Sequence, residues 1–135
     1  WLLSEQDGHA HLYTLAPDGR VRQRTRGDWE VSQPQPTPDG RAFLFLCNRA
    51  WPGKYELCRL ELDGDRVHEL TDLSGVEGYA LSPDARQLLV TYSGSYLPTQ
   101  LAVLPADGGS VTLLTDTRSA AFKAHDWIAP QIVQV

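Results

Sequence analysis

Few residues of this chain are of types that commonly carry out chemistry. The histidines and cysteines are His9, His11, His68, His125, Cys47 and Cys58. A Ser-His-Asp site can assemble from distant residues, but no spacing here singles out a serine. The sequence contains no G-x-S-x-G turn, no phosphate-binding P-loop and no G-x-G-x-x-G fingerprint. We therefore assign no catalytic residue and no cofactor to this chain.

His9 and His11 have the only spacing that resembles a metal site. Two residues apart on a strand, both rings project from the same face. No spacing indicates the third and fourth ligands that zinc requires. The pair directly follows Asp7-Gly8, so we interpret it as two polar residues at the mouth of a hairpin and predict no metal.

Cys47 and Cys58 lie on two consecutive predicted strands joined by a turn, so their side chains can face each other. We interpret them as two small buried apolar side chains. The alternative is a disulfide, which implies an oxidising compartment. Their spacing matches no C-x-x-C redox or zinc motif, and the sequence leaves the choice open.

The charge of the chain argues against nucleic acid as a partner. It has 12 Lys and Arg against 17 Asp and Glu, a net charge of -5, whereas nucleic-acid binding requires a basic surface. The densest basic segment has alternating arginines, at Arg20, Arg22, Arg24 and Arg26. On a strand they share one face, as expected for an edge strand protected by charge; a surface for an anionic partner is the alternative.

Nothing in the sequence predicts a membrane span or a signal peptide. No apolar run approaches the roughly 18–20 residues that a spanning helix needs. Trp1 opens on a strand-like run without a charged leader.

The elements that position these residues recur along the chain. Thr37-Pro38-Asp39-Gly40-Arg41 returns as Ser82-Pro83-Asp84-Ala85-Arg86, 45 residues later. Two further markers keep nearly the same period: an Asp-Gly pair and a Val-to-Thr segment. They are found at Asp18-Gly19, Asp63-Gly64 and Asp107-Gly108, and at 21–25, 67–71 and 111–115. A repeat of about 40–50 residues built from short strands is typical of a β-propeller blade.

We predict an all-β fold, a partial β-propeller of about two and a half four-stranded antiparallel blades. The strands of the two full units are predicted at 31–36, 41–48, 55–62, 66–71, 76–81, 87–92, 99–104 and 110–115. The chain divides into a partial blade (1–27), two full blades (28–72 and 73–116), and a closing strand and linker (117–135) with a strand at 120–126.

Because a blade buries its faces only against neighbours, we expect a piece of a larger protein that self-associates when isolated. We expect Trp29 to fill the gap between two blades; the alternative places it in a groove near the central channel.

Two segments together resemble the propeller domain of the dipeptidyl peptidase IV family of prolyl-oligopeptidase-type serine peptidases. They are Ser4-Glu5-Gln6-Asp7-Gly8-His9-Ala10-His11-Leu12-Tyr13 and Gly27-Asp28-Trp29-Glu30-Val31. The resemblance continues through 79–84 and 92–98, and the tail at 129–135 is similar to the strand that enters the hydrolase domain.

The resemblance implies a parent enzyme in which an eight-bladed propeller caps an α/β-hydrolase domain and which releases N-terminal dipeptides, often after proline or alanine. The catalytic serine, aspartate and histidine would come from the hydrolase domain of the same chain. The acidic pair that grips the substrate amine would come from an earlier part of the propeller. No residue of this chain matches either site, so its implied role is to wall the chamber that peptide substrates enter.

The alternative is a Tol-type periplasmic propeller segment that binds proteins, because Tol-type propellers share the S-P-D-G-R turns. The compartment stays open between periplasm and cytoplasm, with the periplasm favoured. Peptide specificity and the oligomeric state of the parent are not given by the sequence.

Overall fold

Three antiparallel sheets follow one another along the chain in the computed structural model, which describes residues 1–128 and 130. The first sheet contains β1 (Leu2–Ser4), β2 (His11–Leu15) and β3 (Val21–Gln23). The second contains β4 (Val31–Pro36), β5 (Ala42–Trp51), β6 (Lys54–Glu61) and β7 (Arg66–Glu69). The third contains β8 (Val76–Leu81), β9 (Gln87–Gly94), β10 (Leu97–Pro105) and β11 (Thr112–Leu113). Within each sheet the spatial order of the strands is their chain order, so the all-β prediction is confirmed.

The repeated turn before β5 and β9 has one hydrogen-bonding pattern in both copies. The Thr37 hydroxyl donates to Asp39 Oδ1 at 2.6 Å and accepts from the Ala42 amide at 3.0 Å. Ser82 makes the matching bonds to Asp84 and from Gln87. The fourth residue has positive φ in both turns, 67° at Gly40 and 57° at Ala85. The Pro-Asp-Gly signal therefore predicted the turn correctly, with alanine in a conformation that glycine adopts more easily.

β5 supplies side chains to two separate hydrophobic clusters. Phe43 and Phe45 pack with Leu12 of the first sheet, whereas Leu44 packs with Leu88 of the third. Because side chains alternate along a strand, a strand with an apolar neighbour on each side must be apolar throughout. This explains why the sequence reads Phe-Leu-Phe-Leu without a polar interruption.

A disulfide joins Cys47 of β5 to Cys58 of β6, with a Cα–Cα distance of 6.0 Å. Both residues are buried in the cluster between the first and second sheets. The expectation of burial is confirmed, but the interpretation as two unbonded side chains is wrong. They are brought together because Phe45 pairs with Cys58 in the ladder, two residues from Cys47.

The strand predicted at 120–126 is wrong, because this segment begins with a short helix, α1 (Ala120–Ala124). The Ser119 hydroxyl caps it by accepting from the Phe122 amide. A strand needs a neighbouring ladder for its backbone groups, whereas a capped helical turn satisfies them locally. Trp127 then stacks on Tyr96 of the β9–β10 hairpin, with 4.9 Å between ring centroids. The tail at 129–135, which resembles the strand that enters the hydrolase domain, lies outside the described residues except for residue 130.

No helix in residues 1–128 has the length and apolar character to cross a membrane.

Candidate functional site

A threonine hydroxyl recurs at the same place in each sheet, buried in the first two and half-buried in the third. It accepts a backbone N–H from the long strand beside it, at 2.9 Å in all three cases. The pairs are Thr25 with Leu12, Thr71 with Leu57, and Thr115 with Leu101. The residue before each leucine bonds the same hydroxyl: His11, Glu56 and Gln100. The sequence showed the Val-to-Thr marker without a reason for it, and the structure supplies one: the threonine that ends each marker segment makes these two hydrogen bonds. We call each threonine hydroxyl, together with the leucine amide and the side chain that bond it, a hydroxyl centre.

The hydroxyl centre of the first sheet uses both ring nitrogens of His11. Nε2 lies 2.9 Å from the Gly27 carbonyl oxygen, and Nδ1 lies 3.0 Å from the Thr25 hydroxyl. A carbonyl oxygen only accepts, so Nε2 carries a proton and donates to Gly27, while Nδ1 and the Thr25 hydroxyl share the second hydrogen bond. The ring is fully buried and neither nitrogen is available to a metal. His11 is therefore a buried residue of the core at the start of β2, whereas the sequence suggested only a polar residue at the mouth of a hairpin.

In the second sheet the hydroxyl centre contains a buried carboxylate. Glu56 accepts from Thr71 and from the Leu73 amide, at 3.0 Å to one oxygen and 3.1 Å to the other. Lys54 Nζ lies 3.0 Å from Glu56 and 2.8 Å from Asp72. The hydrogen bond to Asp72 is the main cause that raises the pKa of Lys54, with Glu56 adding to it against partial desolvation.

In the third sheet Gln100 makes the equivalent bonds without charge. Its amide oxygen accepts from the Thr115 hydroxyl at 2.8 Å and from the Thr117 amide at 3.1 Å. Its amide nitrogen donates to the Pro98 carbonyl and the Thr117 hydroxyl. All three hydroxyl centres are closed networks, so they hold strands together and offer no position to a substrate.

An open cavity of about 470 Å³ lies between the first and second sheets, and we call it the arginine groove. Its lining residues are Arg22, Gln23, Arg24, Thr25, Arg26, Trp29, Arg49, Asp65 and Val67. Three arginines of the alternating segment found in the sequence therefore line one cavity. They are joined there by an arginine from the end of β5.

Trp29 separates the arginine groove from the hydrophobic core. Its ring stacks on Phe45 of the second sheet at 6.4 Å and meets His11 of the first sheet edge-on at 5.3 Å. The guanidinium of Arg49 lies over the same ring, 5.4 Å from its centroid. Gly27 has φ of 122°, and a Cβ there would lie 2.7 Å from the indole nitrogen, so this position needs glycine. The expectation that Trp29 fills the gap between sheets is confirmed, and the residue also lines a groove.

Asp65 links the two sheets across the arginine groove. Its carboxylate oxygens lie 2.5 Å from Arg22 and 2.7 Å from Arg24. Partial burial raises the pKa of Asp65, but the hydrogen bonds from Arg24 and Arg22 outweigh it and leave the pKa below its ordinary value. Sequence reasoning missed this residue, because Asp65 belongs to a turn of the next unit, about 40 positions away.

One group of side chains in the described part of the chain has metal-ligating atoms close together: Cys47, Cys58 and Glu69. Its two sulfur atoms are already bonded to each other, so the group offers a metal only the Glu69 carboxylate.

Three sheets in series, each of consecutive antiparallel strands and packed face to face, define a segment of a β-propeller. The family described as "Dipeptidyl peptidase IV (DPP IV) N-terminal region" matches residues 1–99. The chain therefore belongs to this family.

The similar curated proteins are fungal. The chain is 31% identical over 111 residues to "Probable dipeptidyl-aminopeptidase B" of Aspergillus clavatus, covering 78% of the chain and 12% of that protein. It is 30% identical over 112 residues to the protein of the same name from Aspergillus oryzae, with the same coverage. The chain thus spans about an eighth of the length of these relatives.

Two kinds of solved propeller resemble the chain. Dipeptidyl peptidase 4 of Porphyromonas gingivalis superimposes with a TM-score of 0.74 at 23% identity, over 90% of this chain and 17% of that one. A putative TolB from Agrobacterium tumefaciens gives 0.67 at 24% identity, over 84% and 44%. TolB from Acinetobacter baumannii gives 0.64 at 25% identity, over 85% and 29%.

Proposed function

We propose that this chain is a non-catalytic propeller segment of a serine exopeptidase that releases N-terminal dipeptides, and that it walls the chamber its peptide substrates enter. The observation that carries the proposal is the family match over residues 1–99, on a chain folded as consecutive propeller sheets. The name shared by the fungal relatives supports the reaction class. In this proposal the α/β-hydrolase domain of the parent supplies the serine, histidine and aspartate.

The wall role is supported by the polar contacts that hold neighbouring sheets at fixed positions. The Tyr79 hydroxyl of the third sheet lies 2.6 Å from the Gln33 carbonyl and 2.9 Å from the Leu44 carbonyl of the second. Burial raises the pKa of Tyr79 well above its ordinary value, so the hydroxyl stays a donor at any physiological pH. Asp65 makes the corresponding link between the first and second sheets. A rigid wall of this kind excludes folded proteins while small peptides enter.

We further propose that the protein works in an oxidising compartment. The Cys47–Cys58 disulfide supports this, since disulfides persist outside the reducing cytosol. This agrees with the sequence-based preference for the periplasm over the cytoplasm.

The experiment is a native mass measurement on the expressed protein, combined with cleavage of a chromogenic dipeptidyl-proline substrate. A mass several-fold above 15.0 kDa together with cleavage that a serine-directed inhibitor abolishes is the expected result. To test the wall, the variant Tyr79→Phe and the unmutated protein are compared on the chromogenic dipeptide substrate and on a folded protein with a susceptible N-terminus. The variant is expected to cleave the folded protein faster than the unmutated protein does, with an unchanged rate on the dipeptide substrate. Absence of any inhibitor-sensitive cleavage would overturn the peptidase proposal.

The second candidate is a protein-binding propeller of the Tol type, which the TolB superpositions favour as far as the fold. It predicts no cleavage of the chromogenic substrate and capture of a protein partner by the same preparation. The two candidates therefore differ in the first measurement.

A further inference from the structure

The arginine groove concentrates positive charge in an otherwise acidic chain. Its lining has four arginines and one acidic residue, Asp65. Outside it the chain has 8 basic and 16 acidic residues. A further carboxylate, that of Asp7, accepts from the side-chain amide of the lining residue Gln23 at 2.7 Å. The groove is thus a local cationic site that the overall charge of the protein conceals.

Two of the four guanidinium groups make no ion pair in the described part of the chain, and the other two share one carboxylate. Arg22 and Arg24 share Asp65, but Arg26 and Arg49 make no ion pair with any acidic residue of the described ranges. Both are exposed. Arg49 is nonetheless held in place, because it donates to the Val67 carbonyl at 3.2 Å and lies over the Trp29 ring. An oriented guanidinium loses less freedom when it binds a carboxylate than a mobile one does.

The groove also exposes the backbone of an edge strand. β3 pairs only with β2, and β7 pairs only with β6. Five consecutive residues, 22–26, line the groove; residues 22 and 23 belong to β3, and 24–26 are the segment that follows it. Residues that face the groove only through their side chains would alternate. An extended peptide can therefore pair with backbone groups here while its acidic side chains meet the guanidinium groups.

We propose that the arginine groove binds an acidic, extended peptide segment of a partner protein. The carboxylate is the anion that this groove already recognises, in Asp65. A long phosphate polyanion fits less well, because it would extend from the groove over the negatively charged remainder of the surface. A short segment keeps its charges within the cavity of about 470 Å³.

The test is fluorescence anisotropy of the full-length protein with a labelled octapeptide of alternating glutamate and glycine. The double variant Arg26→Gln/Arg49→Gln is expected to bind at least tenfold more weakly. Because Arg49 also contacts Val67 and Trp29, a thermal melt of the variant checks that it is folded at the assay temperature. The matched control Arg41→Gln/Arg86→Gln removes the same charge from exposed arginines outside the groove and should change the affinity less than twofold.

Two further probes make the result decisive. The same peptide with glutamine for glutamate should not bind. Raising the ionic strength should weaken the binding of the acidic peptide, because salt screens the interaction between its carboxylates and the arginines. Equal loss in the two double variants, or equal binding of the glutamine peptide, would overturn the proposal. Binding of a labelled oligonucleotide in preference to the acidic peptide would also overturn it, in favour of a phosphate ligand.

Discussion

The hydroxyl centre of the second sheet makes a quantitative prediction for Thr71→Val, which keeps the shape of the side chain and removes its hydroxyl. The Leu57 amide, fully buried, loses its acceptor, and Glu56 loses one donor. An unsatisfied buried N–H costs about 1–3 kcal/mol, and a hydrogen bond to a charged group contributes about 1.5–3 kcal/mol. Glu56 keeps Leu73 and Lys54 as donors, so we expect the free energy of unfolding to fall by about 3 kcal/mol.

The assay is urea denaturation followed by tryptophan fluorescence, with hydrogen exchange of the Leu57 amide as a local probe. Thr25→Val, where the partner is an imidazole in place of a carboxylate, should cost about 2 kcal/mol, and Thr115→Val, at a half-buried position, about 1 kcal/mol. Thr112→Val is the control, since Thr112 is exposed on β11 and should change stability by less than about 0.5 kcal/mol. If Thr71→Val lowers the free energy of unfolding no more than this control does, or if the Leu57 amide stays protected from hydrogen exchange, the hydroxyl centre does not stabilise the sheet.

The remaining predictions concern the disulfide, one turn, one ion pair and the outer faces of the sheets. Replacing Cys47 and Cys58 together by alanine should lower stability by about 3 kcal/mol, given the short loop that the disulfide closes. Thermal melts with and without reductant check this, because reductant should lower the melting temperature of the unmutated protein and leave that of the variant unchanged. Ala85→Gly should raise the melting temperature slightly, since relief of positive φ, about 1–2 kcal/mol, exceeds the entropy lost to glycine; a lower melting temperature would contradict it. The pKa of Asp65 is lowered in the folded protein. Its contribution to stability is therefore complete above the ordinary carboxyl pKa and is lost as the pH falls through the folded pKa. Asp65→Asn should make the free energy of unfolding less dependent on pH in the acid range, and an unchanged pH dependence would disprove the role of Asp65. The chain on its own should associate in analytical ultracentrifugation, through the exposed apolar side chains of its first and third sheets, and a monodisperse monomer would count against this.

The strands and turns were predictable because their signals are local. The bounds of β4 and β8 coincide with the prediction, since a valine begins each strand and a proline turn follows at a fixed distance. The β5–β6 and β9–β10 hairpins are longer than predicted, because their ladders continue past Asn48 and Tyr92, to the pairs Trp51–Lys54 and Gly94–Leu97. Hydrogen bonding across the hairpin, which sequence does not display, decides where such strands end.

The contacts that form the candidate site were less predictable because they join different units. Asp65 meets Arg22 and Arg24 only after two sheets pack together. The helix at Ala120–Ala124 is too short to show a 3.6-residue period. For the cysteines the sequence allowed both outcomes, and the register between β5 and β6 decided between them.

The three hydroxyl centres also bear on how such repeats diverge. Histidine, glutamate and glutamine occupy one position and share little beyond a group that can bond a hydroxyl, while the threonine opposite them does not change. What the three residues have in common at this position is the capacity to bond the hydroxyl, with a ring nitrogen, a carboxylate oxygen or an amide oxygen. Copies of an ancestral unit can drift apart in sequence here without loss of fold, so an alignment that weights the threonine and the following strand should recover blades that whole-repeat identity overlooks.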